Sequence, residues 1–587
     1  MSLTDGLHFG RRLDDLAEGR RPWILLLLLS LALFVPGLAT LPPVDRDEAR
    51  YVQATRQMME TGDFLRIRYQ DEARNKKPVG VYWIQAGFAE VLGTPSSPVI
   101  WPFRLGSLTG ATAAVLLTFF FGSILFERRT ALIGAMLLAT CLDLVFEAHV
   151  ATADATQLPF ALAAQGALAA CYLAARRGDR VSLAMALAFW AAQGFAILIK
   201  GPVVPFISLL TVLSLAAFDK GPAARRFGWL KALRPGWGLG LTAVLVLPWL
   251  VAIEWVTHGD FLAQSIGHDL LGKVAGAQEA HGAPPGYYLA LLPVTFWPGT
   301  LFLGLGAVWS WRNRRLAAAR FLLAWCLPFW LVLELVPTKL PHYILPLYPA
   351  LALLCARGLL AVSEDGLSVP KLARWLPAGL WGVIGLALAT VLTLGPVYLD
   401  GRLSAASAVV VVGVLATGLH VLWHERARFS AGTAVAVALV ALLVLVPGFG
   451  TILPGLKAPW LSRSAAALVA AAQTREPNIA KEPGAAKGIV ASGGYAEPSL
   501  VFLLGTRTRL LTGEDAARVL ADKEVALALI ASDQDRKFQA VIAAQGRHVQ
   551  PLGSVRGFNY SNGKWTGLTL YRLLPDPESS DQSSPGH

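Results

Sequence analysis

The sequence predicts an α-helical polytopic membrane protein of about 13 transmembrane helices with a small α/β domain at its C-terminal end. Three observations predict it. The 587 residues are 55% hydrophobic and only 15% charged, with a mean hydropathy of +0.51, whereas soluble domains carry roughly 25% charged residues. Apolar runs of about 20 residues, enough to cross a hydrocarbon core of roughly 30 Å, recur through most of the chain. From about Pro454 they give way to short alternating segments.

The runs fall near residues 23–41, 103–125, 131–149, 155–175, 181–199, 202–218, 238–256, 287–310, 318–336, 342–361, 376–398, 404–423 and 432–453. "ATLPPV" after the first is a poor cleavage site and further spans follow, so the first run reads as an uncleaved anchor. The net charge is +12 and the pI about 9.6. In a soluble chain that balance points to nucleic acid, but here the basic residues gather in every second connection: Arg11, Arg12, Arg20 and Arg21, then "ERR", "RRGDR", "DKGPAARRFGWLKALR", "RNRR" and "HERAR". The positive-inside rule then predicts a cytoplasmic N-terminus and, with an odd span count, an outer C-terminus. No nucleic-acid partner is expected. Cys141, Cys171, Cys326 and Cys355 all lie in apolar runs and form no disulfide framework.

Residues 1–455 form the expected membrane domain, with two long outer loops at 42–102 and 257–286. In the first, Asp45 and Glu48 have capping-box spacing, and a helix is expected to about Thr61. A second starts after Lys77, with Pro78 in its first turn and Val81, Ile84, Phe88 and Val91 on one side. Both are expected to lie on the membrane surface. Residues 456–574 form the expected outer domain. There "GIVASG", "SLVFLLG", "VALALIAS" and "GLTLYRL" read as strands, and "GEDAARVLAD" and "DRKFQAVIAAQG" as helices. Residues 575–587 read as a disordered tail.

Every unusual polar cluster lands on the outer side. Asp47, Arg50 and Tyr51 stand at i, i+3 and i+4 of the first surface helix; Lys77 opens the second, beside Tyr82. Asp154, Lys200, Lys339, His342 and Tyr343 sit at outer ends of spans. Two carboxylates, several cations and phenols on one membrane face suit a phosphorylated substrate, cations stabilising the leaving phosphate while a carboxylate orients or deprotonates the nucleophile. Structural roles compete. Lys200 and Lys339 can snorkel, Asp45 and Asp154 can cap helices, and Asp47 with Arg50 can form a helical ion pair. His268 and His281 with Glu279 or Asp269 lack the tight spacing of a metal site, so neither metal nor cofactor is expected.

In its motifs the chain resembles the polyprenyl-phosphate-dependent integral-membrane glycosyltransferases, especially the lipid A aminoarabinose transferase group and, more distantly, protein O-mannosyltransferases. "DEARYVQATRQMMETGDFL", "KPVGVYW", "FRLGSL", "LIKGPV", "LPW" and "TKLPHYILPLYPALALL" follow in the family's order. The resemblance implies a C-type glycosyltransferase (GT-C) architecture and a donor sugar carried on a polyprenyl phosphate. It also implies Asp47 and Asp154 as the acidic active-site pair, Arg50, Lys77 and Lys200 at the donor phosphate, and Tyr343 on the cavity wall; Lys339 is expected at the donor phosphate with them, and Tyr51, Tyr82, His268, Lys273 and His342 are expected to line the cavity. Two positions depart from the pattern: Lys76 stands where aminoarabinose transferases often carry Glu, and Gly267-His268 replaces a Glu-His pair. Lys76 suits an acidic sugar. For a hydroxyl acceptor, the helix N-terminus and Arg50 beside Asp47 favour Asp154 as the base.

The expected function is transfer of the carrier-linked sugar to lipid A, lipopolysaccharide or a similar envelope acceptor at the periplasmic face of a bacterial inner membrane. The expected partners are that donor, the acceptor and membrane lipids. A protein O-glycosyltransferase with the same donor type is the near alternative; a lipid or sugar transporter is the alternative from another class.

Overall fold

The computed structural model describes residues 14–93, 98–219, 222, 226–265, 267, 272, 282–424, 429–475 and 489–574. The membrane domain is helical: α1 (Arg21–Phe34), α2 (Asp47–Thr61), α3 (Gly80–Val91), α4 (Trp101–Leu125), α5 (Arg128–Ala139), α6 (Leu142–His149), α7 (Ala153–Arg177), α8 (Leu183–Lys200), α9 (Val203–Phe218), α10 (Pro235–Thr257), α11 (Tyr287–Thr295), α12 (Leu303–Arg312), α13 (Ala317–Leu335), α14 (Tyr348–Ser363), α15 (Lys371–Asp400), α16 (Ala406–His424) and α17 (Ala431–Pro447). Between α2 and α3 lies a small antiparallel ribbon of β1 (Arg68–Tyr69) and β2 (Glu72–Ala73).

The count of 13 spans is not confirmed. Among the described residues eight helices are long and apolar enough to cross a membrane, or ten if each of two bent pairs is one span. Three shorter apolar helices stand at Arg21–Phe34, Val203–Phe218 and Ala406–Val421. The run near 131–149 is broken, with α5 and α6 meeting at 57°; the run near 287–310 bends by 116°. The first break has a consequence for the site, because α6 turns out of line and brings Asp143 and Glu147, four residues apart on one face, toward the start of α7.

The two surface helices form as expected, but their details differ. The Asp45–Glu48 capping box does not close. Arg46 occupies the N-cap without a side-chain cap; the Glu48 carboxylate accepts the Val44 N–H at 2.8 Å, and Asp45 accepts the N–H of Ser499 at 2.9 Å. In α3 the buried positions are Val81, Tyr82, Gln85, Ala86 and Ala89, so the inward face is rotated from the expected one and Val91 is exposed. Beneath both helices Tyr51, Ala54, Met58, Val79, Val81, Tyr82, Leu198, Ile199 and Trp249 form one apolar cluster. A Cβ on Gly80 would meet the Leu198 carbonyl oxygen at 2.8 Å, so glycine lets the start of α3 approach the end of α8.

Beyond the membrane domain, α18 (Leu461–Arg475) leads into β3 (Val490–Gly493), α19 (Pro498–Leu504), β4 (Arg509–Leu511), α20 (Gly513–Ala521), β5 (Leu527–Ala531), α21 (Asp535–Ala544), β6 (Val549–Asn559) and β7 (Lys564–Leu573). The sheet order is β4-β3-β5-β7-β6, with β3 parallel to β4 and β5, and β7 antiparallel to β5 and β6. Strand alternation divides the core: Leu527, Leu529 and Ala531 face α18, while Ala528 and Ile530 face α20 and α21. "SLVFLLG" is a helix rather than the expected strand. A short buried apolar run has no diagnostic period, and Pro498 in the first turn favours helix. The tail at 575–587 and the loop calls His268 and Lys273 lie outside the described residues.

Candidate functional site

The five charges between Asp45 and Arg50 serve three different ends. Glu48 points inward, and its two oxygens take Nε and Nη2 of Arg104, each at 2.8 Å. The remaining Arg104 protons go to the carbonyls of Leu38, Leu41 and Pro42, at 2.9, 2.7 and 2.9 Å, and Glu48 also accepts the Ala151 N–H at 2.7 Å. A charge pair this deep needs full hydrogen bonding, and here it ties α2 to α4 and to the loop before α7. Asp45 and Arg46 turn to the C-terminal domain. Asp47 and Arg50 remain for another side of the helix, where Asp47 is exposed.

Around that side four chain segments converge. The carboxylate of Asp154, in the first turn of α7, is ion-paired with Lys200, the last residue of α8. Gly201, at φ +73°, ends α8 there. His342 lies on a short 3₁₀ helix, Pro341–Leu347; its Nε2 is 3.7 Å from Asp154 Oδ2 and its Nδ1 is 3.4 Å from Glu147 Oε1. Glu147 also accepts the Thr152 hydroxyl at 2.7 Å. The Lys200 ammonium stands 5.2 Å from the centre of the Tyr343 ring. Asp47 and Lys77 act electrostatically on His342, and Lys77 acts on Asp154.

The other rim is aromatic and cationic. The rings of Tyr51 and Tyr82 are 5.4 Å apart, and the Arg74 guanidinium lies 5.3 Å from the Tyr51 ring centre. Burial pushes both phenols above their ordinary range, the neighbouring phenol adding to this for Tyr51, while Arg74 opposes it in both. Both therefore stay protonated donors at neutral pH. Arg74 is itself held charged by Tyr82, Tyr51 and Asp47 against the cost of burial. The Tyr82 hydroxyl lies within hydrogen-bonding range of the Arg74 side chain, while Arg74 Nε itself is buried with no hydrogen-bond partner among the described residues.

The structure thus brings together Asp47, Tyr51, Lys77, Tyr82, Asp154, Lys200, His342 and Tyr343, with Arg50 one helical turn from Asp47. It does not bring Lys339. That ammonium is buried and gives its three protons to the carbonyls of Leu333, Glu334 and Val336, at 3.3, 2.9 and 2.5 Å, where it caps the end of α13. Three residues of the cluster are new. Asp143 and Glu147 were readable as two carboxylates within an apolar run, four residues apart, which marks function in a membrane. Arg74, in a polar loop, carried no such signal.

The chain is similar to known proteins. The model of the dolichyl-phosphate-mannose-protein mannosyltransferase family matches residues 24–260. An undecaprenyl phosphate-alpha-4-amino-4-deoxy-L-arabinose arabinosyl transferase of Aeromonas salmonicida (strain A449) is 28% identical over 386 residues, 64% of this chain and 66% of the relative. A transferase of the same name from Pseudomonas aeruginosa (strain UCBPP-PA14) is 27% identical over 428 residues, 71% of this chain and 75% of the relative. In the match to Aeromonas salmonicida the chain thus spans just under two thirds of the relative's length. The crystal structure of ArnT from Cupriavidus metallidurans bound to undecaprenyl phosphate superposes with a TM-score of 0.68 at 19% identity, covering 93% of this chain and 98% of that one. That likeness establishes the fold, and the resemblance read from the motifs is borne out.

Proposed function

We propose that this chain, a membrane glycosyltransferase of the polyprenyl-phosphate-dependent kind, moves a sugar from a polyprenyl-phosphate carrier to lipid A or a similar envelope acceptor. The reaction takes place at the outer face of the bacterial inner membrane, with the N-terminus in the cytoplasm and the C-terminal domain in the periplasm. One observation carries the reading: Glu147, Asp154, Lys200 and His342, from segments far apart in sequence, meet in one cluster of charged side chains, with Asp47 and Lys77 within electrostatic range of it.

In the proposed step the bond between the anomeric carbon and the carrier phosphate breaks, and a bond from acceptor oxygen to that carbon forms. Lys77, Lys200 and Arg74 supply fixed positive charge where the departing phosphate gains negative charge, which is worth most in a dry site. Arg50, one helical turn from Asp47, adds a further positive charge for the donor phosphate. Tyr51 and Tyr82 present hydroxyls, and the apolar seat beneath them receives the first isoprene units. A hydroxyl acceptor gives its proton to a carboxylate; a phosphate acceptor is already ionised. The ion pair alters the assignment expected from the sequence. The Lys200 ammonium sits on one Asp154 oxygen and the His342 ring stands near the other, leaving neither open to a substrate proton, so Asp47 takes the proton and Asp154 holds Lys200 and His342 in place.

The two relatives are named for 4-amino-4-deoxy-L-arabinose, which makes that sugar the first donor to assay; exposed Lys76 makes a uronic-acid carrier the second. Purified protein in liposomes, given radiolabelled undecaprenyl-phosphate-linked sugar and lipid A, is expected to label the lipid A. Movement of label across the bilayer with no new glycosidic bond would establish the transporter instead.

A further inference from the structure

Arg46, the residue immediately before Asp47, has φ +71° and ψ −85°. This is the rare γ-turn region, which side chains with a Cβ occupy only when their surroundings hold them there. Its surroundings do. The Asp45 N–H donates to the Tyr560 hydroxyl at 2.6 Å, and Arg46 Nη2 donates to the Ser561 carbonyl at 3.2 Å. Asp45 Oδ1 accepts the Ser499 N–H at 2.9 Å. Tyr560 and Ser561 lie in the turn between β6 and β7, and the ring centres of Trp460 and Tyr560 are 6.0 Å apart in an edge-to-face arrangement. Burial and the nearby Asp45 carboxylate raise the Tyr560 pKa well above the ordinary phenol range, so its oxygen stays protonated and neutral.

The same domain holds the back of α2 further along. Arg56 Nη1 donates to the Phe502 carbonyl at 2.8 Å, Gln53 Nε2 to the Thr506 hydroxyl at 2.8 Å, and that hydroxyl to Glu60 at 2.6 Å. One face of α2 is thus fastened to the C-terminal domain while the other presents Asp47, Arg50 and Tyr51. The strained residue is the joint between them, because turning Arg46 to an ordinary negative φ redirects the chain by which Asp47 enters the helix.

We infer that Tyr560 is a positioning residue: by holding the Val44–Asp45 peptide N–H next to the strained Arg46, the hairpin turn of the C-terminal domain sets where Asp47 presents its carboxylate. The inference rests on the glycosyl-transfer reading above. Its test is a cycle of four full-length proteins: wild type, Tyr560→Phe, Arg46→Gly and the double variant. Each is assayed for kcat and for KM toward the lipid-linked donor, with its melting temperature. Tyr560→Phe keeps the ring and loses only the acceptor oxygen, and kcat is expected to fall about tenfold with KM nearly unchanged. Glycine adopts positive φ without a steric cost, so in the Arg46→Gly background the same change should cost about threefold or less. Equal losses in both backgrounds, no loss at all, or a loss that tracks a lowered melting temperature would overturn the inference. A second readout needs no turnover: amide exchange in residues 44–52 should rise on Tyr560→Phe, and unchanged exchange overturns the inference as well. If the wild type transfers no sugar, the reaction assignment fails while the exchange experiment still decides whether Tyr560 holds the joint.

Discussion

Glu48 and Arg104 meet in an ion pair whose side chains are 1% and 0% exposed, with two parallel bonds of 2.8 Å. Their chain positions lie on the first surface helix and the span that follows it. The pair fixes the height at which α2 sits on the membrane domain, and so the height of Asp47 one residue earlier.

Removing one partner strands a charge. Arg104→Met leaves the Glu48 carboxylate buried without a cation and three carbonyls without donors, and should destabilise the protein by about 3–5 kcal/mol. Thermal unfolding in detergent measures it. A loss under about 1 kcal/mol would mean that α2 is held by other contacts.

Lys200 and Lys339 should separate cleanly despite being the same residue type at span ends. Lys339→Met removes the cap on α13 and should lower the melting temperature while leaving the donor KM within about twofold. Lys200→Met also strands a buried carboxylate, Asp154, and should lower the melting temperature too, but unlike Lys339→Met it should weaken transfer at least tenfold, as expected for loss of a charge-assisted contact. A strong effect of Lys339→Met on donor KM would return that residue to the site.

That contrast shows what was legible in the sequence. Lys339 lay in the right motif, but a side chain's direction is set by the turn around it, and three backbone carbonyls claimed this one. Most long spans and the two surface helices followed from hydropathy and spacing, because burial in lipid imposes long apolar periods, but the count of 13 did not, since two of the runs bend. Glu48 looked like part of a capping box, since nothing local announces that Arg104, 56 residues on, will take its carboxylate. Arg74 escaped notice for the same reason: its meaning comes from the Tyr51 and Tyr82 rings, which only the fold brings to it. The helix at Pro498–Leu504 was hidden by a short apolar run that fits either period.

The two acidic positions should differ in severity. With a hydroxyl acceptor, Asp47→Asn is expected to reduce kcat by about a hundredfold or more, and Asp154→Asn less, because Lys200 keeps its charge. With a phosphate acceptor the difference should shrink, no proton being moved. Wild-type turnover in both variants would remove the proposed chemistry.

Acid should tighten the junction between the first outer loop and the C-terminal domain. Burial, aided by the Glu497 charge, raises the Asp45 pKa to about 6, against the opposing pull of the Ser499 hydrogen bonds and Arg46; Tyr69, Tyr495 and Tyr560 are its other titratable neighbours. A raised carboxyl pKa means that the folded state binds more protons than the unfolded one, so this group's contribution falls as pH rises from about 4 to about 6 and then levels off. The melting temperature should therefore drop by a few degrees across that window relative to Asp45→Asn, which lacks the titrating group. Parallel profiles for the two proteins would contradict it.

The account's central claim, that cations from separate helices converge on one lipid-borne phosphate, is tested most directly by titrating undecaprenyl phosphate into the purified protein and into Lys77→Met and Lys200→Met, following tryptophan fluorescence. Each substitution is predicted to weaken binding at least about tenfold. Unchanged affinity in both variants would contradict the claim.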